Sequence, residues 1–298
     1  MRKILLPALL CLVVSVTAAR AESDAAYGAY QRGHYLAAFR EATQRLVKNK
    51  DDAPAMTLLG ELYNQGLGVP MSPEKAADWY RLAAERGDAH ALASLGLMAL
   101  DGRGMKKDTA QAKAWLEQAA AKNEPVACYN LALLLLSSTN DADLTRAADL
   151  LRKASEAEVP DAQHALGVLY LQGRGVPRDA AQAAHYFERA ARNGSSTGEV
   201  EYAILLFNGD GVAKNEAKAA RYFRSAAAKG NAIAQNRLAR MLAAGRGVPQ
   251  NKVDAAAWHL LASAQGLADA WLDDALKDMT PEEKTRAEKV AAERLGMR

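Results

Sequence analysis

Gly194-Ser195-Ser196-Thr197-Gly198 satisfies G-x-S-x-G, the pattern in which a serine on a sharp turn attacks an acyl carbon. That chemistry needs a strand leading into the turn, whereas this segment joins two stretches of helical spacing and Gly194 stands where the first should close. A nucleophilic serine is not expected. Asn208-Gly209-Asp210-Gly211 with Glu216 offers oxygens in the manner of a calcium loop. There, however, Leu206 occupies the place of the first acidic ligand, and Glu216 follows Gly211 by five residues where six are needed. His34, His90, His164, His185 and His259 are scattered, with no H-E-x-x-H and no Cys/His cluster at metal spacing. Cys128 has apolar neighbours and reads as a buried, unreactive thiol. The pairs Gly66/Gly68, Gly102/Gly104, Gly173/Gly175, Gly209/Gly211 and Gly245/Gly247 lack the strand context of a dinucleotide site, and their recurrence argues for turn geometry. No catalytic, cofactor-binding or metal-binding residue is assigned, and no cofactor is expected.

The glycine pairs say more as a rhythm than as chemistry. Their first members lie 36, 71, 36 and 36 residues apart, so the long step is two periods less one residue. A period of that size predicts a solenoid of stacked supersecondary units, an architecture that presents interaction surface.

Within each period only a small residue stands six before the G-x-G position: Gly60, Gly96, Ala132, Gly167, Ala203 and Ala239. Glycine inside a helix costs about 1 kcal/mol against alanine, so its use predicts close approach of another backbone where two helices of a unit cross. Leu59, Leu62 and Tyr63, and again Leu166, Leu169 and Tyr170, supply the i, i+3, i+4 spacing of an amphipathic helix A. Ser72, Asp108, Asp179, Asn215 and Asn251, six residues after each first glycine, are helix N-caps that fix the start of helix B. Pro73 suits a first helical position, and Asp179 with Gln182 resembles a capping box. Helix B carries Ala76-Ala77 before Trp79-Tyr80, Ala183-Ala184 before Tyr186-Phe187, Ala219-Ala220 before Tyr222-Phe223, and Ala256-Ala257-Trp258. Gly87, Gly194, Gly230 and Gly266, with Asn123 in the second unit, close it as left-handed caps. The third unit replaces the glycine turn by Ser138-Thr139-Asn140, with Asp143 as the expected N-cap and Asn140 as the residue suited to positive φ.

These residues resemble the Sel1-like repeat, a variant of the tetratricopeptide helix pair. Ala55, Leu59, Gly60, Tyr63, Gly66, Gly68, Val69, Ala76, Trp79, Ala83, Ala84 and Gly87 carry the pattern in the first unit. The resemblance covers residues 53–267 and implies an all-α, right-handed superhelical solenoid of six tetratricopeptide-like repeats, the third degenerate. A capping helix pair over 22–52 and capping helices over 268–298 complete the expected organisation. For function the resemblance implies a non-catalytic scaffold or adaptor for envelope proteins, either in assembly or as an inhibitor of a two-component sensor kinase. The rival class is a hydrolase of cell-wall or β-lactam substrates, and this chain lacks the paired cysteines of the relatives considered for that role.

Arg2-Lys3, the apolar run from Ile4 to Val16 and the small-residue end at Ala19 and Ala21 read as an export signal, residues 1–21, cleaved after Ala21. Removing it takes Arg2, Lys3 and Arg20 but no acid, which leaves 35 basic and 35 acidic side chains and no basic field for nucleic acid or anionic membrane. Cys11 leaves too, so no intrachain disulfide can form, and a periplasmic or secreted protein supported by its core is expected. Beyond the signal no apolar run reaches the roughly 18 residues of a membrane helix.

Positions three before, one after and four after the small residue share one face of helix A, which lines the concave side of tetratricopeptide-like stacks. In the second to fifth units these are Ala93, Leu97, Leu100; Tyr129, Leu133, Leu136; His164, Val168, Leu171; and Val200, Ile204, Phe207. The first and last units place Thr57, Glu61, Asn64 and Asn236, Arg240, Ala243 there. Two readings stand: an apolar groove for a peptide or helix of a protein partner, or core buried between neighbouring A helices.

Overall fold

The computed structural model describes residues 25–296, so the export signal lies outside the described residues. Among them every regular element is a helix, and none is long and apolar enough to cross a membrane. The chain forms two compact units that meet between Leu134 and Leu135 in sequence.

The N-terminal unit starts with a helical segment over 25–31 (α1) and α2 (Tyr35–Lys48). Helix pairs follow: α3 (Ala53–Gln65) with α4 (Pro73–Glu85), then α5 (Ala89–Asp101) with α6 (Thr109–Ala121), and α7 (Pro125–Leu135). Helix α3 packs on α4 and α5 on α6, and α4 packs in turn on α5. Ser72 accepts the Lys75 N–H and Asp108 the Gln111 N–H, each cap stabilising its helix by about 1 kcal/mol. Leu59 and Leu62 pack with Ala38 and Ala42 of α2 as an apolar cluster, a burial that contributes roughly 1.5–3 kcal/mol per leucine. Arg45 grips Asp52, the N-cap of α3, through two bonds of 2.9 and 2.7 Å, so the capping helix is tied to the first repeat.

The small crossing residues have a different cause from the expected backbone approach. A Cβ on Gly60 would stand 2.6 Å from the Tyr80 ring, and one on Gly96 2.7 Å from the Leu116 side chain. Gly167, in the C-terminal unit, meets Phe187 at 2.6 Å in the same way. The glycine makes room for a large, fully buried helix B side chain, and Gly96 also nears a carbonyl, Ala112 O at 3.3 Å.

The C-terminal unit contains α8 (Asp141–Glu156), α9 (Pro160–Gln172) with α10 (Ala180–Arg192), α11 (Ser196–Asn208) with α12 (Glu216–Ala228), and α13 (Ala232–Ala244) with α14 (Lys252–Ala264). Helices α15 (Ala270–Leu276) and α16 (Pro281–Arg294) follow, the latter packed on α14, where Arg294 lies 3.9 Å from the Trp258 ring centroid. One continuous core runs through Phe187, Leu205, Phe223, Leu238, Trp258 and Leu272. Both glycines of all five G-x-G pairs have positive φ. The second has a further reason: at Gly211 (φ +68) an added Cβ would collide with the Ala180 carbonyl, at the first turn of the preceding helix B.

Three local readings need correction. The N-cap of α8 is Asn140, not Asp143; it has φ −83 and accepts the Ala142 N–H at 2.9 Å. The helix therefore gains a turn at its start, 16 residues against 13 in its counterparts, with Asp143 inside that turn, so the lost residue is absorbed by a longer helix as well as a shorter loop. At its other end Glu158 takes the left-handed place of the missing cap glycine, with φ +59 like Asn123. Its carboxylate accepts from Gln163 at 2.8 Å, Arg189 at 2.6 Å and Asn193 at 2.6 Å. Finally, the Asn251 cap sets the sixth repeat's register at Ala255-Ala256, so His259 stands where Tyr80 and Phe187 stand in theirs. The reciprocal capping box belongs to Thr280 and Glu283, while Asp179 accepts from Ala181 and Gln182.

Candidate functional site

Ser196 is the first residue of α11, reached from the closing turn of α10. Ser195 is the N-cap, its Oγ accepting the Gly198 N–H at 3.1 Å, and Gly198 is small because Ala190 Cβ would lie 2.7 Å from a side chain there. The G-x-S-x-G pattern is thus a helix start packed on its neighbour. Glu216, the nominal calcium ligand, pairs with Arg246 and with Lys214. Among the described residues no three His, Cys, Asp or Glu side chains gather to hold a metal. His90 stands 3.3 Å from Glu124, which raises its pKa, whereas burial lowers that of His164. His259 contacts Asp273 at 2.8 Å, and its Nδ1 is buried without a partner. Cys128 is buried.

The helix A faces divide by unit. In the N-terminal unit Ala93 is buried, Leu97, Leu100 and Tyr129 are half-buried, and Leu133 is 42% exposed. The first repeat is polar there: Tyr80 donates to Glu61 at 2.6 Å, and burial with this carboxylate pushes the phenol pKa well above its ordinary value. In the C-terminal unit Leu136, His164, Val168, Leu171, Ile204 and Phe207 are half-buried, while Val200 is buried. Val168, Leu171, Ile204 and Phe207 rest on the core and keep part of their surface outside it.

Around the sixth repeat this face deepens into a pocket of about 400 Å³. Its apolar lining comes from Ile204 and Phe207 of α11, Met241 of α13 and Trp271 of α15. Three arginines, Arg237, Arg240 and Arg246, line it as well. Arg240 forms a fork on Asp269 at 2.6 and 2.8 Å, with its guanidinium 5.2 Å from the Trp271 ring centroid. Arg240, then Asn236 and the Leu272 N–H, hold the Asp269 carboxyl well below the usual carboxylate range. Arg246, the middle residue of a G-x-G, lies 4.2 Å from the Phe207 ring centroid and pairs with Glu216. Arg237 is exposed and makes no ion pair among the described residues. Sequence reasoning placed Ile204, Phe207 and Arg240 on one face but missed Arg237, Arg246 and Trp271. The arginine inside the last G-x-G was the one available signal, because Trp271 arrives from beyond the repeats.

A family model of the Sel1 repeat matches six consecutive segments, residues 53–88, 89–124, 125–159, 160–195, 197–231 and 232–267. The solved structure of a Sel1 repeat protein from Oxalobacter formigenes is 27% identical and aligns over 80% of this chain and 98% of its own, with a TM-score of 0.70. A protective antigen of uropathogenic Escherichia coli strains, which displays an SLR fold, is 24% identical over 88% of this chain and 64% of its own, with a TM-score of 0.54, a likeness of fold. No curated protein matches the chain.

Proposed function

The chain belongs to the Sel1 repeat family, and from that premise we propose that it is a non-catalytic scaffold that holds protein partners against the A-helix faces of its repeats. Leu133 carries the reading: a leucine 42% exposed on a regular helix, following half-buried Leu97, Leu100 and Tyr129 on the equivalent face. Burying the surface that Leu133 still exposes would contribute about 1 kcal/mol, the fraction remaining of a leucine's full burial. The export-signal pattern read in residues 1–21 and the neutral composition of the remainder support work in the periplasm on envelope proteins, with a chain starting at Glu22 as the mass-spectrometric expectation.

The test is in-cell photocrosslinking from position 133, with position 81 on exposed Arg81 of α4 as control. Discrete envelope-protein adducts are expected from 133. Leu133→Asp should weaken capture of that partner by about tenfold or more while the helical circular dichroism stays unchanged. Equal adduct patterns from both positions would sink the proposal.

A further inference from the structure

We propose that the pocket around Arg237 takes a peptide segment of a partner protein in which a large apolar side chain adjoins a carboxylate. This deepens, and rests on, the reading of the chain as a protein-binding scaffold. A space of about 400 Å³ is of side-chain to short-peptide size, and Ile204, Phe207, Met241 and Trp271 offer it apolar and aromatic surface.

The rim then selects charge. Arg240 and Arg246 are already neutralised by Asp269 and Glu216 and are set by these carboxylates and by the rings of Trp271 and Phe207. Both are spoken for, so they shape the pocket without needing a ligand. Arg237 is the third guanidinium, exposed and without a carboxylate of its own among the described residues. An incoming acidic side chain or chain terminus would receive a planar fork of donors from it, while the neighbouring apolar side chain fills the space beside Phe207. A basic segment would meet the uncompensated charge of Arg237, and a purely apolar one would leave it unanswered.

Random dodecapeptides displayed on phage, panned against the purified protein, test this directly. Enriched peptides should place Asp or Glu beside a large apolar residue. Their synthetic versions should bind Arg237→Glu about tenfold or more weakly and Arg237→Lys less tightly than wild type but better than the glutamate, and all should lose affinity with added salt. Arg237 is exposed, so these variants should keep the wild-type melting transition. Peptides without acids, undiminished binding to Arg237→Glu, or no enrichment at all would each overturn the pocket assignment. Adducts from position 133 surviving such a result would leave the scaffold reading intact, whereas loss of both would end it.

Discussion

The two units share one repeat but use the fourth position of helix A in opposite ways. In the N-terminal unit it holds Met56, Leu92 and Cys128, all buried; in the C-terminal unit it holds Gln163, Glu199 and Gln235, buried just as deeply. Gln163 donates to the Ser155 carbonyl at 3.3 Å and Gln235 to the Ala227 carbonyl at 3.3 Å, eight residues upstream in both cases. Glu199 accepts from Ser225 at 2.7 Å and Lys229 at 3.0 Å. Apolar burial is non-directional, while these bonds fix an angle as well as a contact. The helix A faces diverge as well: Glu61 marks the first repeat and Arg240 the sixth, where Arg237 and Arg246 stand beside it around the pocket. A repeat thus conserves its caps and crossing points and leaves the chemistry of each unit open.

The largest expected effects come from testing whether the units are energetically separate. Gly104 and Gly211 both have φ +68, and a Cβ would strike the Pro73 or the Ala180 carbonyl. Gly104→Val or Gly211→Val should each cost about 3 kcal/mol or more, combining backbone strain with overpacking. In hydrogen exchange, Gly104→Val should strip protection from α4 to α6 and spare α10 to α13, with the reverse for Gly211→Val. Uniform loss from either would dissolve the division into two units.

The fourth position gives the next contrast. Leu92→Ala should cost about 2–5 kcal/mol as a cavity, and Glu199→Ala about 1–3 kcal/mol by removing a buried carboxylate that accepts from Ser225 and Lys229. Urea melts read both, and a larger loss for Glu199→Ala would show the polar position to be the stronger one. Asp269→Asn should have the smallest effect, about 1 kcal/mol at neutral pH, because Arg240 is 41% exposed and solvent screens the pair. Asparagine can still cap α15, which isolates the charge. Since the folded pKa of Asp269 is depressed, its contribution is complete above the ordinary aspartate value of about 3.9 and fades as pH falls from there toward the lower folded value. A melting curve of Asp269→Asn that keeps the wild-type acid slope would discard this pair as a source of it.

Local chemistry was legible in the sequence. Ser72, Asp108, Asp179, Asn215 and Asn251 all cap the helices their spacing assigns, because a cap bonds within three residues of itself. Asn140 was misread because an extra helical turn and a loop deletion leave the same count of residues. Gly60 was placed correctly, but its reason, the Tyr80 ring, lies on another helix. The pocket was hardest to read, since Phe207, Arg246 and Trp271 meet only after two repeats and a capping helix have packed.

Glu158 ties the third repeat to the order in which the chain is made. Its left-handed backbone has no glycine to ease it, and two of the donors that hold its carboxylate, Arg189 and Asn193, lie 31 and 35 residues downstream. A nascent chain emerging from the ribosome cannot finish the end of α8 until nearly all of the next repeat has followed. Completion here runs backwards from the fourth repeat to the third, against the direction of synthesis.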